Sequence, residues 1–394
     1  MKKLLLIIAG VVVLIGAIGA AVILVYWNQA VPIAAMAINY VRYRSAPAGT
    51  LVTQQNPSWI HRPAQPSSPP QRMATGDWPS YNRTLTSNRF ATLDEITTRN
   101  ASRLKVLCTY DTHQYTGFTS GLIEVNGALI GTTEYDIFSL NPANCRQNWR
   151  THEDYQPATP QGVNRGAAYL DGRLFRGTQD GRVLAYDFKT GLWATQIANP
   201  KIGETVPAAP IAWNGLVFVG NAGGDIKGVK GRMYALDAST GRIVWEFYLV
   251  PKAPGDVTRG PQGKSPLNGS TWKNAPGFPI TGGATWTSYT LDPHSGLLYV
   301  PGGNPAPDFA TGPRKGGDLF SGSVVVLDAK TGDYRYDFKI VPIDWHDWDV
   351  SNPPAIIHTR AGRTILVVTP KNGFLYGFDL SDNRLLYRKP VTRI

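Results

Sequence analysis

Two patterns of apolar positions divide this 394-residue chain. After Met-Lys-Lys, Leu4 to Tyr26 is an uninterrupted apolar run, with Tyr26 and Trp27 at its far edge. A spanning helix needs about 20 such residues. Lys2 and Lys3 set the inner side, and the aromatic pair suits the outer interface. The run continues past GAIGAA, where a cleavable signal would end. The expectation is therefore an N-terminal transmembrane anchor or signal segment over 1–27, left uncleaved. It would hold an exported body on the periplasmic side of a bacterial inner membrane. Residues 28–75, rich in Pro, Ser and Gln from 45 onward, read as a semi-extended linker. The folded domain is expected over 76–394.

In that domain the pattern changes to short alternating runs such as GLVFVGN and RTILVVTP, which predict strands. A second signal recurs among them. AYDFKTGLW begins at Ala185, ALDASTGRIVW at Ala235, VLDAKTGDYRY at Val326 and GFDLSDNRLLY at Gly377; a degenerate copy, SLNPANCRQNW, begins at Ser139. Each copy is a strand, a tight turn and a strand ending in an aromatic. The Asp and Thr bond the turn backbone, and Gly supplies a positive φ. The period is roughly 50 residues, with one interval near twice that length, holding one enlarged unit or two. Such a period, with four strands per unit, predicts an all-β propeller. A β-sandwich would not explain the regular turn motif.

Composition agrees with this picture. Forty-one glycines and 30 prolines beside 11 tryptophans suit many short strands joined by turns. The net charge is +11, but no Lys/Arg cluster, recognition-helix pattern or zinc spacing accompanies it, which argues against nucleic acid. A basic surface suits an anionic cofactor or an anionic membrane face equally well. No Cys-x-x-Cys-His occurs, so the chain has no c-type haem motif.

The segment IDWHDWDVSNPP, 343–354, places three acids, two tryptophans and a histidine in a predicted loop. It is one of several stretches in which the chain resembles the quinoprotein alcohol dehydrogenases. These are eight-bladed propellers that hold pyrroloquinoline quinone (PQQ) and usually calcium on the ring axis. DWPSYNR, VNRGAAY, VPAAPIAWNGLVFVGNAGGD, GGATW, GGNPAPDF, HDWD and PKNGFLYGFD match family landmarks in family order, from Asp77 to the end of the chain.

The resemblance implies roles for single residues. Asn304 matches an amide ligand of calcium, as suits a hard cation, although a turn Asn beside proline has the same appearance. Asp225, with Gly224 beside it at the cofactor, stands where the family often has Glu. The shorter side chain leaves calcium or a lanthanide open. Trp286 matches the floor under the planar quinone, a place it shares with strand tryptophans of an inter-blade core. Arg165 matches an arginine that meets the cofactor's carboxylates. Lys371 matches a base-site cation near the reactive quinone oxygens. Asp349 matches the general base and a metal ligand; Asp344 and Asp347 are rival bases or loop caps. The implied reaction is proton removal from an alcohol by Asp349 and hydride transfer to C5 of the quinone, with calcium as Lewis acid.

There are departures. Thr159-Pro160 stands where many relatives have adjacent cysteines, and Thr119 and Pro207 replace two cofactor contacts. Five motif copies imply five or six of the eight blades, because the chain ends inside the unit begun by GFDLSDNRLLY. Cys108 takes the place of a motif aromatic and Cys145 the place of a motif glycine. A disulfide there would replace the docking of one blade's aromatic on the next blade's turn; two separate buried thiols are the other reading.

The function expected is a membrane-anchored PQQ-dependent dehydrogenase for an alcohol or other hydroxyl compound. Electrons would pass to a periplasmic cytochrome c or membrane quinone, and a second polypeptide would complete the propeller. The alternative is a non-catalytic propeller scaffold or an inactive truncated fragment.

Overall fold

The computed structural model describes 77–392, except 115–116, 160–161, 188–189, 311 and 313, together with 10–20 and positions 34, 37, 38 and 41. Residues 10–20 are helical. No helix among the described residues is long and apolar enough to cross a membrane. The expected anchor over 1–27 lies largely outside the described residues, as does the linker over 28–75.

The body consists of successive four-stranded antiparallel sheets, five of them among the described residues. They are numbered here as blades 1 (123–152), 2 (168–196), 3 (211–248), 4 (290–339) and 5 (355–390). An additional parallel pair joins Gly117–Gly121 to Val163–Gly166. The enlarged repeat interval is one unit: an excursion over 249–289, with only a 3-10 turn at Gly269–Thr271, precedes blade 4.

The repeat motif closes the outer hairpin of each blade. In blade 3, Asp237 accepts from the backbone N–H groups of Ser239 and Thr240 at 3.0 and 2.8 Å. Gly241 then turns the chain at φ 73°. In blade 4, Asp328 accepts from Lys330 and Thr331, and Gly332 has φ 72°. The tryptophans that end the motifs of blades 2 and 3 dock on the next blade. Trp193 donates to the carbonyl of Ala238 at 3.1 Å, and Trp245 to that of Ala329 at 3.0 Å. Both indoles are fully buried, and a Cβ on Gly241 or Gly332 would meet them at 2.6 Å. Glycine is thus required twice over, by its φ and by the indole.

Blade 1 replaces this docking with covalent chemistry. Cys145 occupies the glycine position at φ 55° and is disulfide-bonded to Cys108. Sequence chemistry left two separate thiols open as an alternative; the structure selects the bond. Phe175, Phe218, Trp193, Trp245, Tyr289 and Val325 belong to one continuous core through blades 2 to 4, and a second cluster joins blade 4 to blade 5.

Candidate active site

Site residues come from two kinds of position: the entry to a blade's first strand, and the connection between its second and third strands. In an antiparallel four-stranded blade these lie at the same end, opposite the Asp-x-x-Thr-Gly hairpin. Arg165, Trp286, Asp347 and Asp349 precede the first strands of blades 2, 4 and 5. Asp225, Asn304 with Asp308, and Lys371 lie between second and third strands of blades 3, 4 and 5.

Backbone pairing of short loops aligns them. Gly283 donates to the carbonyl of Asn304 at 2.7 Å, and Gly303 to that of Ala284 at 2.9 Å. Thr285 donates to the carbonyl of Asn221 at 3.0 Å, which seats Trp286 beside the blade 3 connection. Gly224 allows that approach, since a Cβ on it would meet Ala284 at 2.8 Å. The structure therefore gives Gly224 a close-packing role at the place where sequence reading put a cofactor contact.

Trp286 is the centre of the constellation. The Arg165 guanidinium lies 4.6 Å from its ring centroid and the Lys371 ammonium 5.2 Å from it. Its indole N–H donates to Asp349 Oδ2 at 3.2 Å. Asp349 is 1% exposed. Its Oδ1 accepts from the Asn304 backbone N–H at 2.6 Å, and its Oδ2 accepts from Lys371 Nζ at 2.6 Å. Burial pushes the Asp349 carboxyl up to about 7, against the opposing pull of Lys371. Burial also opposes the charge on Lys371, but Asp349 and Asp347 hold that ammonium above its ordinary pKa.

The acid cluster beside Asp349 differs in membership from the sequence-derived ligand set Asp225, Asn304 and Asp349. Carboxylate oxygens of Asp225, Asp308 and Asp347 lie within 4.8 Å of one another. Asn304 reaches this cluster through its side-chain amide, which donates to Asp308. Asp349 is joined to it through the Asn304 backbone and through Lys371, which also bonds Asp347 at 2.9 Å. Burial and the neighbouring carboxylates push Asp308 up to about 7, and burial with Asp347 raises Asp225. Asp347, a rival base in the sequence, is thus a cluster acid. Asp344 is the loop cap: it accepts from the backbone N–H groups of His346 and Trp348, both at 2.9 Å.

Both groups implied by the sequence fit these residues. Three converging carboxylates, of which Asp225 and Asp308 are raised by burial and by their acidic neighbours, form an all-oxygen donor set for a hard cation. Arg165 is half-buried, its charge disfavoured by burial, and among the described residues its guanidinium has no carboxylate partner. A flat indole face flanked by that cation and by Lys371 suits a planar anion.

Two contributors escaped sequence reasoning. Asp308 was in view within GGNPAPDF, but nothing local ties it to Asp225. Gly303 matters because a Cβ on it would sit 2.8 Å from Asp349 Oδ1 and 2.6 Å from the Ala284 carbonyl. Thr119 bonds the Asn164 carbonyl at 3.2 Å, and Pro207 accepts from the Arg165 N–H at 2.9 Å.

Comparison with known proteins matches residues 78–383 to the model described as PQQ: glucose/ethanol/alcohol dehydrogenase, beta-propeller domain. The chain is 32% identical over 351 residues to the dehydrogenase subunit of alcohol dehydrogenase (quinone) of Gluconobacter oxydans, covering 80% of this chain and 45% of that protein. It is 30% identical over 348 residues to the lanthanide-dependent methanol dehydrogenase of Methylacidiphilum fumariolicum, covering 81% and 55%. The solved quinohemoprotein alcohol dehydrogenase ADHIIG of Pseudomonas putida HK5 superposes with a TM-score of 0.71 at 30% identity, covering 81% of this chain and 48% of that one. The chain spans about half the length of the curated relatives it matches.

Proposed function

Since this chain belongs to the PQQ-dependent glucose/ethanol/alcohol dehydrogenase β-propeller family, we propose that its propeller oxidises an alcohol or related hydroxyl compound with PQQ and a bound cation. The supporting observation is the convergence of Trp286, Arg165, Lys371 and Asp349 beside the Asp225–Asp308–Asp347 carboxylates. Trp286 offers the stacking face, and Arg165 and Lys371 pair the anionic groups of the quinone. Asp225, Asp308 and Asp347 hold the cation, with Asn304 beside them. Calcium is one candidate; the high carboxylate count also suits a trivalent lanthanide.

When bound, the quinone supplies the hydride acceptor and the cation a Lewis acid. The chain's own part is to hold and move a proton. Asp349 accepts the hydroxyl proton; a carboxyl near 7 is matched to that task at neutral pH. The Asn304 N–H holds Oδ1, and Trp286 and Lys371 hold Oδ2, so the carboxylate is fixed in orientation beside the place of the reacting hydroxyl. Lys371 offsets negative charge that develops there.

The reading extends to the setting of the protein. Its apolar N-terminus would anchor it on the periplasmic side of the inner membrane, with a cytochrome c or membrane quinone taking the electrons.

The test is a titration of the protein with PQQ, with and without calcium or lanthanum, followed by tryptophan fluorescence. Quenching is expected to saturate at one quinone per chain, to need the cation and to vanish in Trp286→Ala. Dye reduction by alcohols should then fall at least a hundredfold in Asp349→Asn. Absence of saturable binding in folded protein would overturn the reading.

A further inference from the structure

Between the two acid-bearing loops lies a buried guanidinium that the scheme above does not use. Arg314 is 5% exposed. Its Nη1 and Nη2 both donate to the carbonyl of Pro307, each at 3.1 Å. Nη2 also donates to the carbonyl of Asp344 at 3.4 Å. Pro307 directly precedes Asp308. Asp344 caps the loop that carries Asp347 and Asp349. One rigid fork therefore holds the backbone of both loops.

Its counter-ion behaves unusually. Asp318 is 2% exposed and lies 3.6 Å from Arg314 Nε. Among the described residues, neither Nε nor either Asp318 carboxylate oxygen has a hydrogen-bond partner. A pair serving stability alone would close into a bidentate contact of about 2.7–2.9 Å. A buried pair held apart is costly. Here the terminal donors go to two loop carbonyls instead, and Asp318 balances the charge without competing for them. A lysine, with its single point of charge, lacks this planar two-sided reach.

The mount is firm. Asp318 donates its N–H to the Thr271 carbonyl at 3.2 Å, and Trp272 donates its indole N–H to the Leu319 carbonyl at 2.7 Å. Lys315 donates to the Lys273 carbonyl at 3.3 Å. The 249–289 excursion thus braces the segment bearing Arg314 from behind. A brace is needed because three carboxylates within 4.8 Å repel and would push their loops apart.

We propose that Arg314 is a positioning residue: by bridging the carbonyls of Pro307 and Asp344 it fixes the spacing of Asp308 and Asp347, and so the aperture of the cation site. This rests on the cation reading above. It goes further by assigning the site's geometry to a residue that touches neither cation nor quinone.

The test compares the full chain with the double variant Arg314→Gln/Asp318→Asn. Removing both charges leaves no orphaned carboxylate, and Asn tolerates the φ of 49° at position 318. Two readouts are taken. Amide hydrogen exchange without metal is expected to quicken at least tenfold in both 304–308 and 344–349, with the blade 4 strand Ser323–Asp328 unchanged. Tryptophan-sensitised terbium luminescence is expected to show at least a tenfold weaker affinity, with Arg314→Lys intermediate. Loosening of one loop or neither overturns the proposal, as does equal terbium affinity in variant and wild type. Wild-type protein that binds no terbium overturns the cation reading, and with it the purpose assigned to Arg314. Should the double variant not fold, Arg314→Lys decides by the same two readouts.

Discussion

Asp349 shows how few atoms set the chemistry of this site. Its Oδ1 reaches the Asn304 N–H only because residue 303 has no side chain. In Gly303→Ala the new methyl would press on that oxygen and on the Ala284 carbonyl, and backbone cannot yield cheaply. The carboxylate would leave the Asn304 N–H, and a bond to a charged group contributes about 1.5–3 kcal/mol. Turnover is therefore expected to fall about ten- to a hundredfold, read as kcat in dye reduction, with PQQ still bound. Away from the site, Asp136 is fully buried between Arg150 and His152. Burial alone would raise its pKa, but bonds from His152 and Arg150 win and lower it. Bonding to Asp136 raises His152 above 6.5 despite partial burial. The signs differ. The Asp136 contribution is present above its unfolded pKa and lost as pH falls through the lowered folded value. The His152 contribution is full below 6.5 and lost as pH rises through the raised folded value. His152 is 40% exposed, so screening limits its share to below about 1 kcal/mol. Melting temperatures across pH 6 to 9 should decline in wild type and decline less steeply in His152→Gln, whose acid limb shrinks but persists through the Arg150 bond to Asp136.

Blades are joined by a repeated device, and its variants can be compared. Trp245 fixes blade 3 to blade 4 through one buried hydrogen bond, and Trp245→Phe keeps the ring while orphaning the Ala329 carbonyl. The loss should be about 1–3 kcal/mol. Removing the Cys108–Cys145 bond by Cys→Ser at both positions should cost about 2–4 kcal/mol. The two devices share no partner, so urea titration of the combined variant should return the sum within about 0.5 kcal/mol. This element scale was largely legible in the sequence, because Asp237, Thr240 and Gly241 encode their turn within five residues. The doubled repeat interval was not. Residues 249–289 carry no alternation, and their backbone is satisfied by distant segments, as at Thr271 and Asp318. Trp286, Asp349 and Lys371 were legible by motif. Asp308 and Arg314 were not, since their meaning depends on which loops return to one place after 83 or 30 residues.

At the scale of the whole molecule, a cation held by Asp225, Asp308 and Asp347 would double as a fastener. Its acids come from the blade 3 connection (Asp225), the blade 4 connection (Asp308) and the entry to blade 5 (Asp347). Without a cation this convergence is repulsive, and repulsion between blades opposes the packing of the core clusters that join them. With a cation the sign reverses. A ligand at a hundred times its Kd adds about 2.7 kcal/mol to the folded state. For a body of this size that is a rise of roughly 3–6 °C in melting temperature. Asp308→Asn separates the two effects, because it removes one repelling charge and exchanges a carboxylate donor for a weaker, neutral amide oxygen. Its cation-free form should melt slightly above the wild type, while its response to lanthanum should shrink to a degree or two. Differential scanning calorimetry of both proteins, with and without lanthanum, reads the four values. Equal responses in the two would mean that Asp308 neighbours the cation without holding it. A variant that melts lower without metal would mean that the bond from Asn304 outweighs the repulsion, so that the acids form a hydrogen-bonded rim and the blades are fastened by packing alone.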